Sequence, residues 1–282
     1  MSSRKRHTTQ ATEELPPRIR RAYFECRFGQ LHVLNAMPSG GGFDERTPLL
    51  CLHQTPMSGR VFESFLPLIG RDRSVFAPDT PGYGASDAPS EPPQIADYAA
   101  AMGDFLDSMR FRSIDVLGYH TGAVIATELA LSRPTQIRRL VQVGVPLFSA
   151  DERRAFMQAP WPVQIAEDGS HLTTEWQRSL RWRGPGVTLE MLADAFAQKL
   201  VNGPRARWAG QAVMQYPLQE RLVAVRQPLL CLRPKDDLWE AGGRVPALLP
   251  QARCRDLPDY GFGLFTVAPQ VIAEQVRAFL DG

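Results

Sequence analysis

The segment Gly118-Tyr119-His120-Thr121-Gly122 follows the nucleophile-elbow pattern G-x-S-x-G, with His120 in the place of the serine. In this pattern a tight turn between a strand and a helix raises the middle side chain above a sheet, and small residues at both ends permit the turn. An imidazole at this point can act as a general base, a hydrogen-bonding group or a nucleophile. Because the N-terminus of a helix disfavours further positive charge, we expect a pKa for His120 below the ordinary value of about 6.5.

Alternating strands and helices are expected to hold this turn in place. An apolar run at residues 113–117 precedes the elbow, a helical pattern follows it, and similar runs recur along the chain. Such alternation favours an α/β fold with a mostly parallel sheet. Beyond the elbow, the pattern predicts helices at residues 61–69, 95–108, 240–249 and 269–280.

The alternation stops between residues 147 and 226, where helical patterns occur without a convincing buried strand. An insert of this kind is expected to form a lid over the carboxyl ends of the strands, where open α/β sheets bind ligands. We therefore predict a disordered leader at 1–17, a core in two parts at 18–146 and 227–282, and a helical lid at 147–226.

Three motifs in this order give the chain a family resemblance over residues 20–280. After one apolar run comes His53-Gln54-Thr55-Pro56, similar to an H-G-x-P oxyanion loop; a D-x-x-G-x-G-x-S segment begins at Asp79, and the elbow follows. Together they resemble the α/β-hydrolase superfamily. The resemblance implies a hydrolase fold in which a mostly parallel sheet is flanked by helices and carries an inserted helical lid.

The same resemblance indicates a non-standard catalytic triad. His120 occupies the nucleophile position, and the acid position maps to Asp236, with Asp237 one step away. The usual histidine position, seven residues before Pro269, holds Phe262. Asp236 is either a relay that orients a histidine or a carboxylate in a charged surface turn.

Further residues are candidates for the oxyanion hole or for contact with substrate. Backbone N–H groups of the Gln54-Thr55 loop and of the elbow at Thr121 would stabilise an oxyanion. The side chains of Gln54 and Thr55 are expected either to orient a substrate oxygen or to bond the loop backbone. Resemblance gives His53 a mainly structural hydrogen-bonding role beside this site. Tyr119 and Phe262 are candidates for an aromatic pocket wall, or for core packing.

His171, in the predicted lid, is the remaining histidine of interest. It is either a replacement for the missing triad histidine or a local hydrogen-bonding group near a helix end. The histidines lie far apart without metal-ligand spacing, so no metal and no organic cofactor is predicted.

Composition restricts the remaining possibilities. The 282 residues carry a net charge of +2 without a basic stripe, which gives no indication of a nucleic-acid partner. The four cysteines lack CxxC spacing, the N-terminal segment has no apolar signal region, and no run is long enough to span a membrane. We predict a cytoplasmic protein with a small-molecule substrate and no membrane partner; the oligomeric state stays open.

The leading hypothesis is an enzyme that hydrolyses an ester, a lactone or a C–C bond in a small, largely apolar substrate, with His120 as base or nucleophile. One alternative is cofactor-free lyase, cyclase or isomerase chemistry that uses His120 for proton transfer. The other is a ligand-binding protein without catalysis, in which His120 is only structural. Backbone strain tends to persist where it is used, which favours a working His120.

Overall fold

The computed structural model describes residues 17–39, 45–159 and 165–282. The predicted leader lies outside these ranges apart from Pro17. Trp161, in the predicted lid, also lies outside them.

A single twisted sheet of eight strands forms the centre of the described chain, in the order β1-β2-β4-β3-β5-β6-β7-β8. The strands are β1 Arg20–Cys26, β2 Gly29–Ala36, β3 Leu49–Leu52, β4 Val75–Pro78, β5 Ile114–Tyr119, β6 Ile137–Val143, β7 Leu229–Pro234 and β8 Arg253–Leu257. β2 pairs antiparallel with β1 and β4, and all other neighbours are parallel. The predicted α/β fold with a mostly parallel sheet is confirmed.

Helices cover both faces of the sheet. They are α1 Leu66–Ile69, α2 Ile95–Ser108, α3 Thr121–Ser132, α4 Ala150–Gln158, α5 Ser170–Arg181, α6 Leu189–Leu200, α7 Trp208–Gln215, α8 Leu218–Val223, α9 Trp239–Gly242, α10 Val245–Leu248, α11 Leu264–Val267 and α12 Pro269–Leu280. One apolar cluster packs α2 and α3 on the sheet, and a second packs α1, α11 and α12 on it. None of the helices in the described ranges combines the length and the apolar character needed to cross a membrane.

Helices α4 to α8, between β6 and β7, form a unit that we call the helical insert (residues 150–223). It contacts α2 and α3 of the core, and it also contacts the loop after β3. Asn202 donates a hydrogen bond from Nδ2 to the carbonyl of Pro56 (2.7 Å), and Ser58 bonds Gln198 (3.1 Å). The insert is thereby fixed beside the carboxyl end of β3.

Two predicted helices are shorter than expected. Residues 61–69 form a 3₁₀ turn, Gly59–Phe62, followed by the single turn of α1, and residues 240–249 divide into α9 and α10. Pro67 and Pro246 lie in the first turns of α1 and α10. Proline lacks the N–H that a continuing helix needs but fits the first turn of a new one, so the chain restarts there.

Candidate active site

The elbow has the strained geometry that its pattern predicts. His120 has φ 49°, and Arg110 is the other non-glycine residue with positive φ in the described chain. A Cβ at Gly122 would lie 2.0 Å from the carbonyl oxygen of Leu52, and one at Gly118 would lie 2.4 Å from that of Gly122. The glycines therefore let α3 start directly against β3, with His120 at the apex of the turn.

His120 and Asp236 form a buried pair across the carboxyl ends of β5 and β7. Nε2 of His120 lies 2.8 Å from Oδ2 of Asp236, whose Oδ1 accepts the N–H of Leu238 (2.9 Å). The Asp236 side chain is 0% exposed. The predicted relay is thus the arrangement present, and the surface-turn alternative for Asp236 is wrong.

The imidazole reaches Asp236 by passing over Gly144, which follows β6. A Cβ at Gly144 would lie 2.5 Å from Cδ2 of His120 and 2.6 Å from its Nε2. Gly144 also has a positive φ of 61°. Any larger residue here would displace the ring from Asp236.

The pKa of His120 is raised above its ordinary value, so the expectation of a lowered pKa is wrong. Burial alone would lower the pKa of His120. The negative charge of Asp236, its hydrogen bond and the charge of Asp237 outweigh that effect. The expectation rested on the helix N-terminus alone, whereas the two nearby carboxylates decide the direction of the shift.

Asp237 is a site residue that the sequence analysis did not select. It is accessible from a cavity, and one of its oxygens lies within 4.8 Å of a His120 nitrogen and an Asp236 oxygen. Limited hydration raises the pKa of Asp237; His120 opposes this shift and Asp236 adds to it. Its position directly after Asp236 was the signal available in the sequence.

In the described ranges, His120, Asp236 and Asp237 form a group that could hold a metal ion. Each offers one ligand atom, and the three atoms lie within 4.8 Å of one another. His120 and Asp236 of this set are also hydrogen-bonded to each other through Nε2 and Oδ2.

A cavity of about 500 Å³ lies between the elbow and the helical insert. Its wall is mixed in character, because charged side chains of both signs join the apolar ones. The charged members include Arg60, Glu175, Arg178, Arg183, Lys199 and Asp237. The charged groups could meet polar groups of a substrate, while the rest of the lining is mainly apolar; a largely apolar substrate stays a prediction.

The oxyanion loop and the elbow meet at the floor of this cavity. The hydroxyl of Thr55 donates to that of Thr121 (2.9 Å), and both residues line the cavity together with Gln54 and Tyr119. As the first residue of α3, Thr121 has a backbone N–H with no partner inside the helix. Oε1 of Gln54 and the hydroxyl of Tyr119 are buried without a hydrogen-bond partner in the described ranges. The side chain of Gln54 is thus placed to contact a ligand.

Two histidines lie away from the cavity. The N–H of Thr80 donates to Nε2 of His53 (2.8 Å), so the proton is on Nδ1, which bonds the carbonyl of Gln54 (2.9 Å). Burial lowers the pKa of His53, although Asp79 and that carbonyl act against the shift. His53 is therefore a structural group that fixes the loop, and its inclusion among possible substrate contacts is corrected.

His171 is likewise not a replacement for the triad histidine. Its Nδ1 accepts the N–H of Ala166 (3.1 Å) at the start of α5, and the residue does not line the cavity. The structure therefore supports the other alternative, in which His171 is a local hydrogen-bonding group near the start of a helix.

Phe262 lies against the imidazole of His120. Its ring is 5.4 Å from that of His120 in an edge-to-face arrangement, and it lines the cavity. Tyr119 contacts the same imidazole, with ring centroids 4.3 Å apart. The imidazole of His120 thus packs against two aromatic rings.

Comparison with protein families identifies the fold to which this geometry belongs. The family model described as the alpha/beta hydrolase fold matches residues 47–222. The chain belongs to the α/β-hydrolase family. The match contains His120 but not Asp236, which follows residue 222.

Similar proteins are hydrolases of several kinds. A haloalkane dehalogenase of Bradyrhizobium diazoefficiens is 25% identical over 184 residues, which is 61% of this chain and 55% of that one. A pimeloyl-[acyl-carrier protein] methyl ester esterase of Photobacterium profundum is 28% identical over 218 residues, 74% of this chain and 80% of that one. The chain spans about half the length of the dehalogenases that it matches.

Solved structures show the same fold. The esterase RhEst1 from Rhodococcus sp. ECU1013 has a TM-score of 0.76 at 22% identity, over 94% of this chain and 98% of that one. The epoxide hydrolase CorEH has a TM-score of 0.69 at 15% identity, over 94% and 99%. At these identities the similarity establishes the fold alone.

Proposed function

We propose that this protein is a hydrolase that cleaves an ester or lactone in a small, largely apolar substrate, using His120 as general base. The observation that supports this most is the 2.8 Å contact between Nε2 of His120 and buried Asp236. In the neutral imidazole, donation of Nε2–H to the carboxylate leaves the lone pair on Nδ1. The pair therefore fixes the basic nitrogen and stabilises the charge that forms on it.

In this proposal, water is the nucleophile. Nδ1 of His120 removes a proton as the water oxygen attacks the carbonyl carbon, and the carbonyl oxygen becomes an oxyanion. Backbone N–H groups at Thr55 and Thr121 would donate to that oxyanion. When the tetrahedral intermediate collapses, the leaving alkoxide takes the proton back from the imidazolium of His120.

The hydrogen bond between Nε2 of His120 and Asp236 favours His120 as a general base over His120 as a nucleophile. Nε2, the less hindered nitrogen of an imidazole, is bonded to Asp236. Nδ1 is adjacent to the carbon that carries the side chain, so attack on a carbonyl carbon from it is crowded. Proton transfer tolerates that crowding better than formation of a covalent bond.

Phe262 supports one second candidate, proton transfer without water. Its apolar ring lies 5.4 Å from the imidazole, in place of a titratable group. A base shielded in this way suits abstraction of a proton from carbon, as in elimination, ring closure or isomerisation. The same His120–Asp236 pair would carry that reaction.

Hydrolysis of a panel of activated short-chain esters tests the leading proposal. We expect His120→Ala to lower kcat/KM by about 10²–10⁴-fold, the usual contribution of a general base. His171→Ala is the matched control, because it removes an imidazole outside the cavity and should leave the rate unchanged. Thermal unfolding of each variant checks that the fold is retained.

The mass of the intact protein during turnover separates the remaining possibilities. Water attack predicts no acyl adduct, whereas an acyl group trapped on His120 would make the histidine a nucleophile. Equal rates for wild type and His120→Ala would refute ester hydrolysis by His120. The search would then turn to proton-transfer reactions, with ligand binding without turnover as the last alternative.

A further inference from the structure

Two of the four cysteines face each other on neighbouring strands. Cys231 of β7 pairs directly with Cys254 of β8 in parallel register. Neighbouring strands lie about 4.8 Å apart, and disulfides join Cα atoms about 4.4–6.8 Å apart. The two thiols are close enough for each to shift the pKa of the other.

The two thiols differ in solvent exposure and in pKa, so we expect them to play different parts in a reaction. Cys231 is 2% exposed, inside the apolar core, whereas Cys254 is exposed on the edge strand β8. The hydrogen bond from Cys231 lowers the pKa of Cys254 to about 7, although partial burial acts against the shift. The same bond, together with burial, raises the pKa of Cys231. At neutral pH, Cys254 therefore supplies an accessible thiolate, and Cys231 holds a protonated thiol against it.

We propose that Cys254 and Cys231 form a modification site for hydroperoxides, in which Cys254 is the reacting thiol and Cys231 the resolving thiol. The pair lies outside the residues that line the cavity, so this inference stands independently of the proposed function.

The chemistry balances with a hydroperoxide as the oxidant. The thiolate of Cys254 attacks one peroxide oxygen, the O–O bond breaks, and the leaving hydroxide or alkoxide takes up a proton. The product is a sulfenic acid on Cys254. The thiol of Cys231 then loses its proton and attacks that sulfur; the S–S bond forms, the S–O bond breaks, and water leaves.

The other two cysteines lack this combination. Cys51 is buried in β3, and burial raises its pKa well above the ordinary value. Cys26 is half-buried, and burial raises its pKa too. Thiolate character and access together govern oxidation, so Cys254 should react first. When Cys231 attacks the sulfenic acid, the disulfide forms before Cys254 can be oxidised further to the sulfinic acid. Thiol reductants can then reverse the modification by reducing the disulfide.

The test is treatment of the full chain with an excess of hydrogen peroxide, enough for several oxidation steps per thiol, followed by intact-mass and peptide mass spectrometry. We expect the wild type to lose two hydrogens, to contain a linked Cys231–Cys254 peptide, and to recover its mass with dithiothreitol. In Cys231→Ala we expect Cys254 to gain two or more oxygens that dithiothreitol does not remove. Cys254→Ser should form no disulfide, and Cys26→Ser should behave as the wild type.

Because Cys231 lies in the core, Cys231→Ala also removes packing and lowers stability. Cys254→Ser changes only an exposed position of the edge strand, and it also tests whether the Cys231–Cys254 disulfide forms. Wild type in which Cys254 reaches the sulfinic acid without a linked peptide would overturn the proposal. Oxidation of Cys26 or Cys51 before Cys254 would overturn it equally.

Discussion

At the residue scale, one imidazole spans the distance between the elbow and the acid. His120 stands at the apex of the turn, and its ring crosses Gly144 to reach Asp236. A serine at the same point could not make this contact, because its hydroxyl is only one atom beyond Cβ. Phe262 can then occupy the usual histidine position without separating the base from its carboxylate.

The sequence was sufficient to identify these groups but not to predict the direction of the pKa shift of His120. Motif order identified His120, Asp236 and the Gln54-Thr55 loop as parts of one site. The direction of the pKa shift depends on a contact between residues 116 positions apart, which no local pattern contains. For the same reason, the roles of Gly144 and Asp237 became visible only in the folded chain.

Asp237 provides a prediction at this scale. Its charge raises the pKa of His120, so Asp237→Asn should lower that pKa and move the acidic limb of the kcat/KM profile to lower pH. We expect less than about a tenfold change in kcat/KM at neutral pH, because one pKa unit corresponds to a factor of ten. Asp259→Asn, at an exposed position outside the cavity, is the control. An unshifted limb in Asp237→Asn would show that its charge does not reach His120.

At the element scale, strand–helix alternation predicted the sheet well, and two helices, α2 and α12, with their observed bounds. Both are long and amphipathic, and α12 starts at a proline. The sequence was less informative where helices last one turn. In those segments proline and glycine positions decide the boundaries, and apolar spacing overestimates length.

The substitution Gly122→Ala tests whether the elbow depends on the close approach of α3 to β3. A Cβ in Gly122→Ala would lie 2.0 Å from the backbone oxygen of Leu52, so the strand or the helix must move. We expect a loss of about 1–3 kcal/mol in the free energy of unfolding, the usual cost of overpacking. Denaturant titration measures this change.

Gly210→Ala is the matched control, because a Cβ at this position in α7 meets a single atom, of the Phe156 ring, at 3.6 Å. Alanine also favours helix, so stability should stay equal or rise slightly. If Gly122→Ala proved as stable as Gly210→Ala, tight packing would not be what holds the elbow.

At the scale of the whole molecule, the site depends on the helical insert as much as on the core. The core supplies His120, Asp236 and the Gln54-Thr55 loop. The insert supplies one wall of the cavity and most of its charged side chains, including Glu175, Arg178 and Lys199. The sequence indicated an insert over this edge but not the polarity of its inner face, because a helical pattern does not reveal which polar residues face a cavity.

Asn202 couples the insert to the oxyanion loop. It is 2% exposed, and its Nδ2 donates to the carbonyls of Pro56, Gln198 and Lys199 at 2.7, 3.0 and 3.3 Å. Asn202→Ala leaves buried acceptors unpaired, at a cost of about 1–3 kcal/mol. We expect the Tm to fall by roughly 2–4 °C per kcal/mol, measured by calorimetry.

Gln177→Ala, at an exposed position on α5, should not change the Tm. Equal melting temperatures for the Asn202 and Gln177 variants would mean that this contact does not anchor the insert.

The most direct test of the account is the pH dependence of kcat/KM for wild type and Asp236→Asn, measured with an ester that the wild type hydrolyses. A general base must be unprotonated, so activity rises with pH through the pKa of His120 in the free enzyme. In the wild type this rise should lie above the ordinary value of about 6.5, because the two aspartates raise the pKa of His120. In Asp236→Asn it should move to lower pH by about one to three units, with a lower plateau. A rise at the same pH in both proteins would contradict the claim that His120, held by Asp236, is the catalytic base.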